Sequence, residues 1–416
     1  MPEFLKGNYK VDATIEDKAD AADSTDAFEK KALSRLGGSI CFVSKKGLMW
    51  KGEPQPEARR PRGQRAEQLP RRVRRMELGR KIAGALEAAT FERVAGVGLA
   101  NAERNHPRIV HSVLELAGTP LGAGDAAIVV GAGPSLQRRR SLERLRASGF
   151  AGTIVAADGA LGACLRAGVV PHVVVSVDPH PARIVRWFGD PGLTAVPADD
   201  YFRRQEMDPI QREDELAANR ALVGLVDAHG PEIKVAVATS AAPAVVERCE
   251  QARMELYWWN PMYDDYDKPG SLSRRLWEMN GLPCLNGGGN VGTAAWVLTH
   301  AVLGRKRIAL IGIDLGYAPG TPYEKTQYFP ELSDMLGARH TEAFIHTENP
   351  VTGEVWFSDP AYHWFREVFL EMARDANCET FNCTEGGLLF GPGMTTVPLD
   401  AFLDTIPPAA RKGSHG

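Results

Sequence analysis

Residues 126–136 read AAIVVGAGPSL, a short β-branched apolar run that passes directly into glycines. A run of this kind suits a strand buried on both faces, and a glycine turn after it lets the backbone approach a ligand closely. The dinucleotide-binding fingerprint would place a third glycine at 136 for tight helix packing. Here that position is Leu136, preceded by Pro134 and Ser135. The loop therefore suits the phosphate or sugar of a single nucleotide better than a long pyrophosphate-linked cofactor. A plain turn in which Ser135 caps the next helix is the alternative reading.

The same pattern repeats outward from this stretch. AIVV (127–130), TIVAAD (153–158), HVVVSVD (172–178), ALVGLV (221–226), KVAVATS (234–240), ELYWWN (255–260), RIALIGID (307–314) and TFNCT (380–384) read as strands. SLERLRASG, ALGACLRAG, APAVVERCEQA and VGTAAWVLTHAVLG between them fit crossover helices. Alternation of this kind predicts a doubly wound, mostly parallel α/β sheet of Rossmann-like type, with ligands bound beyond the carboxyl ends of its strands.

The chain of 416 residues is 44% hydrophobic, enough for a sizeable core, and its formal charge of −3 creates no global field favouring nucleic acid or acidic membranes. No run approaches the roughly 18 apolar residues of a membrane helix, and the start lacks the apolar segment of a secretory signal. These features predict a cytoplasmic protein with no integral membrane segment and no nucleic-acid partner. The six cysteines are scattered without zinc-finger spacing and read as reduced thiols.

The expected organisation has four parts. Residues 1–75 form an acidic leader (12–30) followed by an arginine-rich stretch, and 76–121 a helical extension whose apolar positions include Ile82, Leu86, Phe91, Val94, Val110, Val113 and Leu116. Residues 122–405 form the catalytic domain, and 406–416 a tail. The arginines of 59–80 read either as a solvated linker and first helix turn or as a patch for an anionic partner.

Candidate site residues follow from the strand ends, where helix N-termini point partial positive charge into the crevice. Gly131, Gly133, Pro134 and Ser135 form the first group. Asp158 in AADGA and Asp178 in SVDP form the second; carboxylates there suit ribose hydroxyls, a base amino group or a metal ion, and each could instead cap a helix. Gly287, Gly288, Gly289 and Asn290 form a third, a turn whose N–H groups suit a phosphate, or else a flexible connection. No P-loop motif is present. Asp314, Tyr317 and Tyr323 follow the strand ALIGID in a Gly/Pro-rich loop, the tyrosines reading as hydrogen-bond donors to a leaving phosphate or as loop anchors.

The ordered series GAGPSL, IVAADGAL, SVDP, GGGNVGTAAWVLTHAVLGRKRIALIGIDLGY and NCTEGG resembles the MptE-like family of 6-hydroxymethylpterin diphosphokinases and its bacterial relatives, the motility accessory factor (Maf) glycosyltransferases. It is similar at greater distance to bacterial sialyltransferases that use CMP-sialic acid. The resemblance spans roughly residues 122–405. It implies that Gly131, Gly133, Pro134 and Ser135 line a nucleotide phosphate site, that Asp158 and Asp178 contact cytidine or ribose, and that the 287–290 turn binds the nucleotide or a sugar carboxylate. Tyr317 and Tyr323 would steady the leaving phosphate. The base of the sialyltransferases is a histidine downstream of such tyrosines, which here points to His346, with His340 as the second candidate. SVDPHP (176–181) stands where the pterin enzymes carry a cluster resembling HGDN, which favours the Maf-like branch.

The resulting expectation is a transferase that moves a nonulosonic or related keto-sugar acid from a CMP-activated donor to a protein or glycan hydroxyl. It needs no obligatory cofactor, with Mg2+ as an optional one. The alternatives are ATP-dependent pyrophosphoryl transfer to a hydroxymethylpterin, with Mg2+ held by Asp158, Asp178 and Asp314, and a non-catalytic nucleotide-binding module that recruits partners through 59–80.

Overall fold

The structure is a computed structural model that describes residues 47–52, 95–179, 184–195 and 215–406. The acidic leader, the arginine-rich 59–80 segment, the apolar positions 82–94 and the end of the tail lie outside the described residues.

The strands, in chain order, are β1 (Met49–Trp50), β2 (His111–Ser112), β3 (Ala126–Val130), β4 (Thr153–Ala157), β5 (Val173–Ser176), β6 (Lys234–Ala238), β7 (Glu255–Pro261), β8 (Cys284–Leu285), β9 (Arg307–Ile311), β10 (Ile345–Glu348), β11 (Val355–Ser358), β12 (Glu379–Asn382) and β13 (Thr395–Thr396). Eleven of them form one sheet in the order β1-β8-β7-β6-β5-β4-β3-β9-β12-β13, with β2 beside β7. Every pairing in it is parallel except β1 with β8. The expected doubly wound α/β sheet is what the chain forms.

The physical basis is visible in the central strands. All five residues of β3 and of β4 are buried, as are all four of β5, because helices cover both faces. One face packs Ile128, Val130, Ala156, Val174 and Val235 against Leu145, Leu161, Leu165 and Val246. The other packs Val129, Val155, Val175, Ala236 and Leu310 against Trp296, Val297 and Phe369.

Winding starts at β3 and runs outward through β4, β5, β6, β7 and β8, then returns to place β9 on the other side of β3. The switch point therefore lies between β3 and β9, whose register pairs Val130 with Ile311. A crevice at the carboxyl ends opens there.

One strand expectation is corrected. ALVGLV (221–226) lies inside the helix Glu215–His229, where Leu222 and Val226 are buried one turn apart. A six-residue apolar run is compatible with either period, and the helix formers around it in ELAANRALVGLVDAH decide the outcome. Two short strands fall before residue 122: Met49–Trp50 adds to β8, and His111–Ser112 adds to β7. Of the expected helical apolar positions, Val113 and Leu116 are buried in a 3-10 turn, whereas Val110 is exposed.

The strands β10 and β11 form a separate antiparallel hairpin. With the helix Phe329–Leu336 they enclose a small core of Leu332, Phe344 and Phe357, against which Tyr317 and Tyr323 pack. This lobe is tied to the loop after β9 by reciprocal backbone bonds between Tyr317 and Phe357.

Candidate functional site

The two loops at the switch point grip one another. The N–H of Gly131 donates to Ile311 O and that of Gly133 to Gly312 O, at 2.8 and 2.7 Å. A Cβ on Gly131 would overlap the Gly312 carbonyl, and one on Gly133 would overlap the Asp314 carboxylate. These glycines are thus required by the close approach of two backbones, the physical reason GAG stands at 131–133. Ser135 is the first residue of a short helix, Ser135–Arg138, and its side chain makes no cap bond. Its N–H instead donates to Asp314 Oδ2 at 2.9 Å.

Asp314 is buried, and desolvation pushes its carboxyl up to about 6 against the opposing hydrogen bond from Ser135. Its Oδ1 and the Ser135 Oγ are buried without a hydrogen-bond partner. The next residue, Leu315, has φ +45°, and Glu385 in NCTEGG has φ +54°. Non-glycine residues held in the left-handed region mark local strain of the kind concentrated at functional sites. NCTEGG itself closes this corner: Leu388 N–H donates to Asp314 O at 2.7 Å, and a Cβ on Gly387 would strike the Asp314 backbone.

Asp158 stands at the end of β4 and is buried. Its oxygens accept from Gly159 N–H at 2.7 Å and from the Ser176 hydroxyl at 2.8 Å. Burial pushes it up to about 7, and the negative charge of Asp178 on the neighbouring strand end adds to the rise. Asp178 is half-buried. The structure brings these two carboxylates near enough for the charge of one to act on the other, whereas Asp314 follows β9, on the far side of β3 from β4. Among the described residues no three His, Cys, Asp or Glu side chains gather to hold a metal ion.

The glycine turn 287–290 is buried through Gly289. Asn286 Oδ1 accepts the Gly288 N–H at 3.1 Å, and Asn290 caps the following helix by accepting from Thr293 N–H at 2.9 Å. Gly288 and Gly289 have φ of +57° and +86°. A Cβ on Gly289 would overlap the ring of Phe365, and one on Gly288 would overlap Thr293. The helix Val291–Val297, continued by a π turn through Val302, starts beside Ile313, which also contacts Gly131. The N–H groups of its first turn are thus brought to the switch point, together with the 131–135 and 312–314 loops.

The four residues expected to do chemistry divide into two pairs with different surroundings. The Tyr317 hydroxyl donates to Asp359 Oδ2 at 2.6 Å and accepts the Gln327 N–H at 3.0 Å. Its ring packs on Phe357 and Tyr362, and burial together with the adjacent carboxylate holds its ionisation well above the ordinary tyrosine value. Tyr317 is thus engaged on both sides of its oxygen by the protein itself. The Tyr323 hydroxyl lies 3.0 Å from Nε2 of the exposed His346. The Tyr323 ring stacks on Phe344 and the His346 ring on Phe357, which fixes both. His340 sits apart from them, with Nδ1 2.9 Å from Gly337 O and its ring edge-on to Phe329.

Several residues that shape the site carry weaker sequence signals. Asp359 accepts Tyr362 N–H at 2.8 Å as cap of the helix Pro360–Asp375, and burial pushes it up to about 6. Its signal is Asp followed by Pro at the first helical position. Asn101 and Asn105, one turn apart on the helix 95–105, clasp the carboxyl ends of β5 and β6. Asn101 Nδ2 donates to Pro179 O and Ser240 O; Asn105 Nδ2 donates to Thr239 O and Ala241 O.

Residues 100–187 match the family model described as 6-hydroxymethylpterin diphosphokinase MptE-like. The matched stretch includes the Asn101–Asn105 turn, β3 to β5, the 131–135 loop, Asp158 and Asp178. No curated protein matches the chain. Among solved structures the chain is similar to the MAf glycosyltransferase from Magnetospirillum magneticum AMB-1, with 14% sequence identity and a TM-score of 0.46, over 80% of this chain and 43% of that one. The chain thus spans less than half the length of that protein. Described helices include none long and apolar enough to cross a membrane. The chain therefore resembles the MptE-like family through its first crossovers, with a Maf glycosyltransferase among its structural neighbours.

Proposed function

We propose that this protein is a glycosyltransferase that moves a nonulosonic or related keto-sugar acid from a CMP-activated donor to a hydroxyl of a protein or glycan acceptor. The observation that carries this reading is the Tyr323–His346 pair. A histidine held by aromatic stacking, exposed to solvent and joined to a phenol at 3.0 Å, is suited to accept the proton of an incoming hydroxyl. Departure of CMP builds charge on phosphate, and the N–H groups of the helix that follows the glycine turn offer it fixed dipoles. Asp158 and Asp178, on adjacent strand ends, supply acceptors for ribose or base hydrogens, while Asp314 holds the Ser135 loop in place. With His346 Nε2–H donating to the Tyr323 oxygen, the Tyr323 O–H is free for the leaving phosphate and His346 Nδ1 is the atom that accepts the proton of the incoming hydroxyl. Tyr317 supports the loop through Asp359.

Turnover of a CMP-activated sugar acid tests the reading, with CMP release as the signal. The unaltered chain is expected to release CMP in an acceptor-dependent way, and His346→Ala to reduce the rate by roughly 10²–10⁴-fold, the usual weight of a general base. Equal rates in the two proteins would remove His346 from the chemistry.

A second reading, pyrophosphoryl transfer from ATP to a hydroxymethylpterin, is favoured by the description of the family model that matches 100–187. Against it, among the described residues no three His, Cys, Asp or Glu side chains gather, so Asp158, Asp178 and Asp314 do not form one cluster. Nucleotide binding without turnover of either substrate would point instead to a binding module.

A further inference from the structure

The glycine turn is held from an unexpected direction. β8 is only two residues long, and it lies between β7 on one side and β1 on the other, with Met49 paired to Leu285 and Trp50 to Cys284. Immediately beyond β8, the Asn286 N–H donates to Leu48 O at 2.9 Å and its Nδ2 to Gly47 O at 3.3 Å. The other side-chain atom, Oδ1, accepts the Gly288 N–H at 3.1 Å. One buried amide therefore joins the N-terminal strand to the turn, and it cannot rotate without losing a bond at one end.

Trp50 anchors this strand. Its ring is buried, stacked on Tyr266 at 4.7 Å with an interplanar angle of 7°, and 5.5 Å from Trp277. The Arg274 guanidinium lies 5.7 Å from the same ring. Gly52 has φ +86°, and a Cβ there would overlap Trp277, so only glycine fits this close approach to the aromatic cluster. An aromatic cluster of this size fixes a two-residue strand that backbone pairing alone would leave marginal.

We propose that Trp50 and Asn286 are positioning residues for the ligand turn: β1 with the preceding Leu48 holds the Asn286 amide, that amide holds the Gly288 N–H, and the turn so fixed leaves the N–H groups of Gly287, Gly289, Val291 and Gly292 for an anionic ligand. The ligand side of this inference rests on the proposed CMP site; the coupling of strand to turn does not.

Hydrogen exchange on the full chain, combined with calorimetric titration of CMP, tests this. Trp50→Ala removes the anchor, Trp50→Phe retains an aromatic face, and Asn286→Asp keeps the acceptor for Gly288 but places an oxygen against Gly47 O. We expect exchange across 286–292 to rise at least tenfold in Trp50→Ala and in Asn286→Asp, with β3 and β4 unchanged and Trp50→Phe close to the unaltered chain. The CMP dissociation constant should rise in parallel. Unchanged exchange at 286–292 in a folded variant overturns the proposal, and Asn286→Asp carries the test alone where Trp50→Ala does not fold. Faster exchange in the variants of a chain that never binds CMP supports the coupling and overturns the CMP reading.

Discussion

The Tyr323 hydroxyl and Nε2 of His346 lie 3.0 Å apart, on elements separated by the whole of the small lobe's helical segment. The pair exists because the hairpin β10–β11 folds back on the loop after β9, so that Phe344 and Phe357 wedge the two rings into place. Tyr323→Phe should reduce turnover about fivefold, the worth of one hydrogen bond of about 1 kcal/mol. Combined with His346→Ala it should cost less than the product of the separate effects, because the two act as a unit. Steady-state rates on the four proteins of the double-mutant cycle check this; strictly multiplicative losses would show that the residues act apart.

Tyr317 should behave differently. Replacing it with Phe strands the Gln327 N–H and one oxygen of the buried Asp359. An unsatisfied buried polar group costs about 1–3 kcal/mol. Tyr317→Phe is therefore expected to lower thermal stability clearly, while Tyr323→Phe leaves the melting temperature nearly unchanged. Calorimetric melts of the two variants decide it, and equal melting temperatures would contradict the assignment.

Three buried carboxyls give stability a pH dependence of definite sign. Asp158 is raised to about 7, and Asp314 and Asp359 to about 6, each from an ordinary 3.8. Between about pH 4 and pH 7 the folded chain therefore holds protons that the unfolded chain has released. Their contribution is complete below pH 4 and is lost as pH rises through 6 to 7. Asp158→Asn should remove the largest part of this trend, being more stable than the unaltered chain at pH 8 and losing that advantage steadily as the pH falls toward 4. A tenfold change in proton affinity on folding is worth about 1.4 kcal/mol, so an effect of a few kcal/mol is expected. Melts from pH 4.5 to 8.5 measure it; an unchanged slope in the variant would mean that Asp158 is not the titrating group.

Gly289→Ala should be more damaging than a surface glycine change. Its φ of +86° disfavours any side chain, and the new Cβ would overlap Phe365. The combined cost should exceed about 2 kcal/mol. Gly320→Ala, also at positive φ but with open space around it, should lose only the conformational part, about 1 kcal/mol. Denaturant titration of both variants provides the comparison, and equal losses would show that packing against Phe365 contributes nothing.

Much of the sheet was legible because parallel strands buried on both faces leave a simple trace: β3, β4, β5, β6 and β9 each fall within the apolar run that announces them. ALVGLV failed for the same reason the others succeeded, since a short apolar run identifies burial rather than period. β1 and β2 are two residues long and present no period at all; they exist through tertiary contacts such as the Trp50–Tyr266 stack. In the site, Gly131 and Gly133 lie where two backbones approach too closely for a side chain. What sequence could not reveal is which group does the approaching. The Ser135 N–H meets Asp314 across 179 positions, and the Tyr317 hydroxyl meets Asp359 across 42, separations that no local pattern announces.

The proposed function requires the crevice between β3 and β9 to receive a single cytidine nucleotide with no obligatory metal. Calorimetric titration of CMP and of ATP into the full chain, each with and without Mg2+, tests it most directly. Binding of CMP that is indifferent to Mg2+ and tighter than that of ATP is the predicted result. Binding of ATP that requires Mg2+, with no response to CMP, would contradict it and assign the site to pyrophosphoryl transfer.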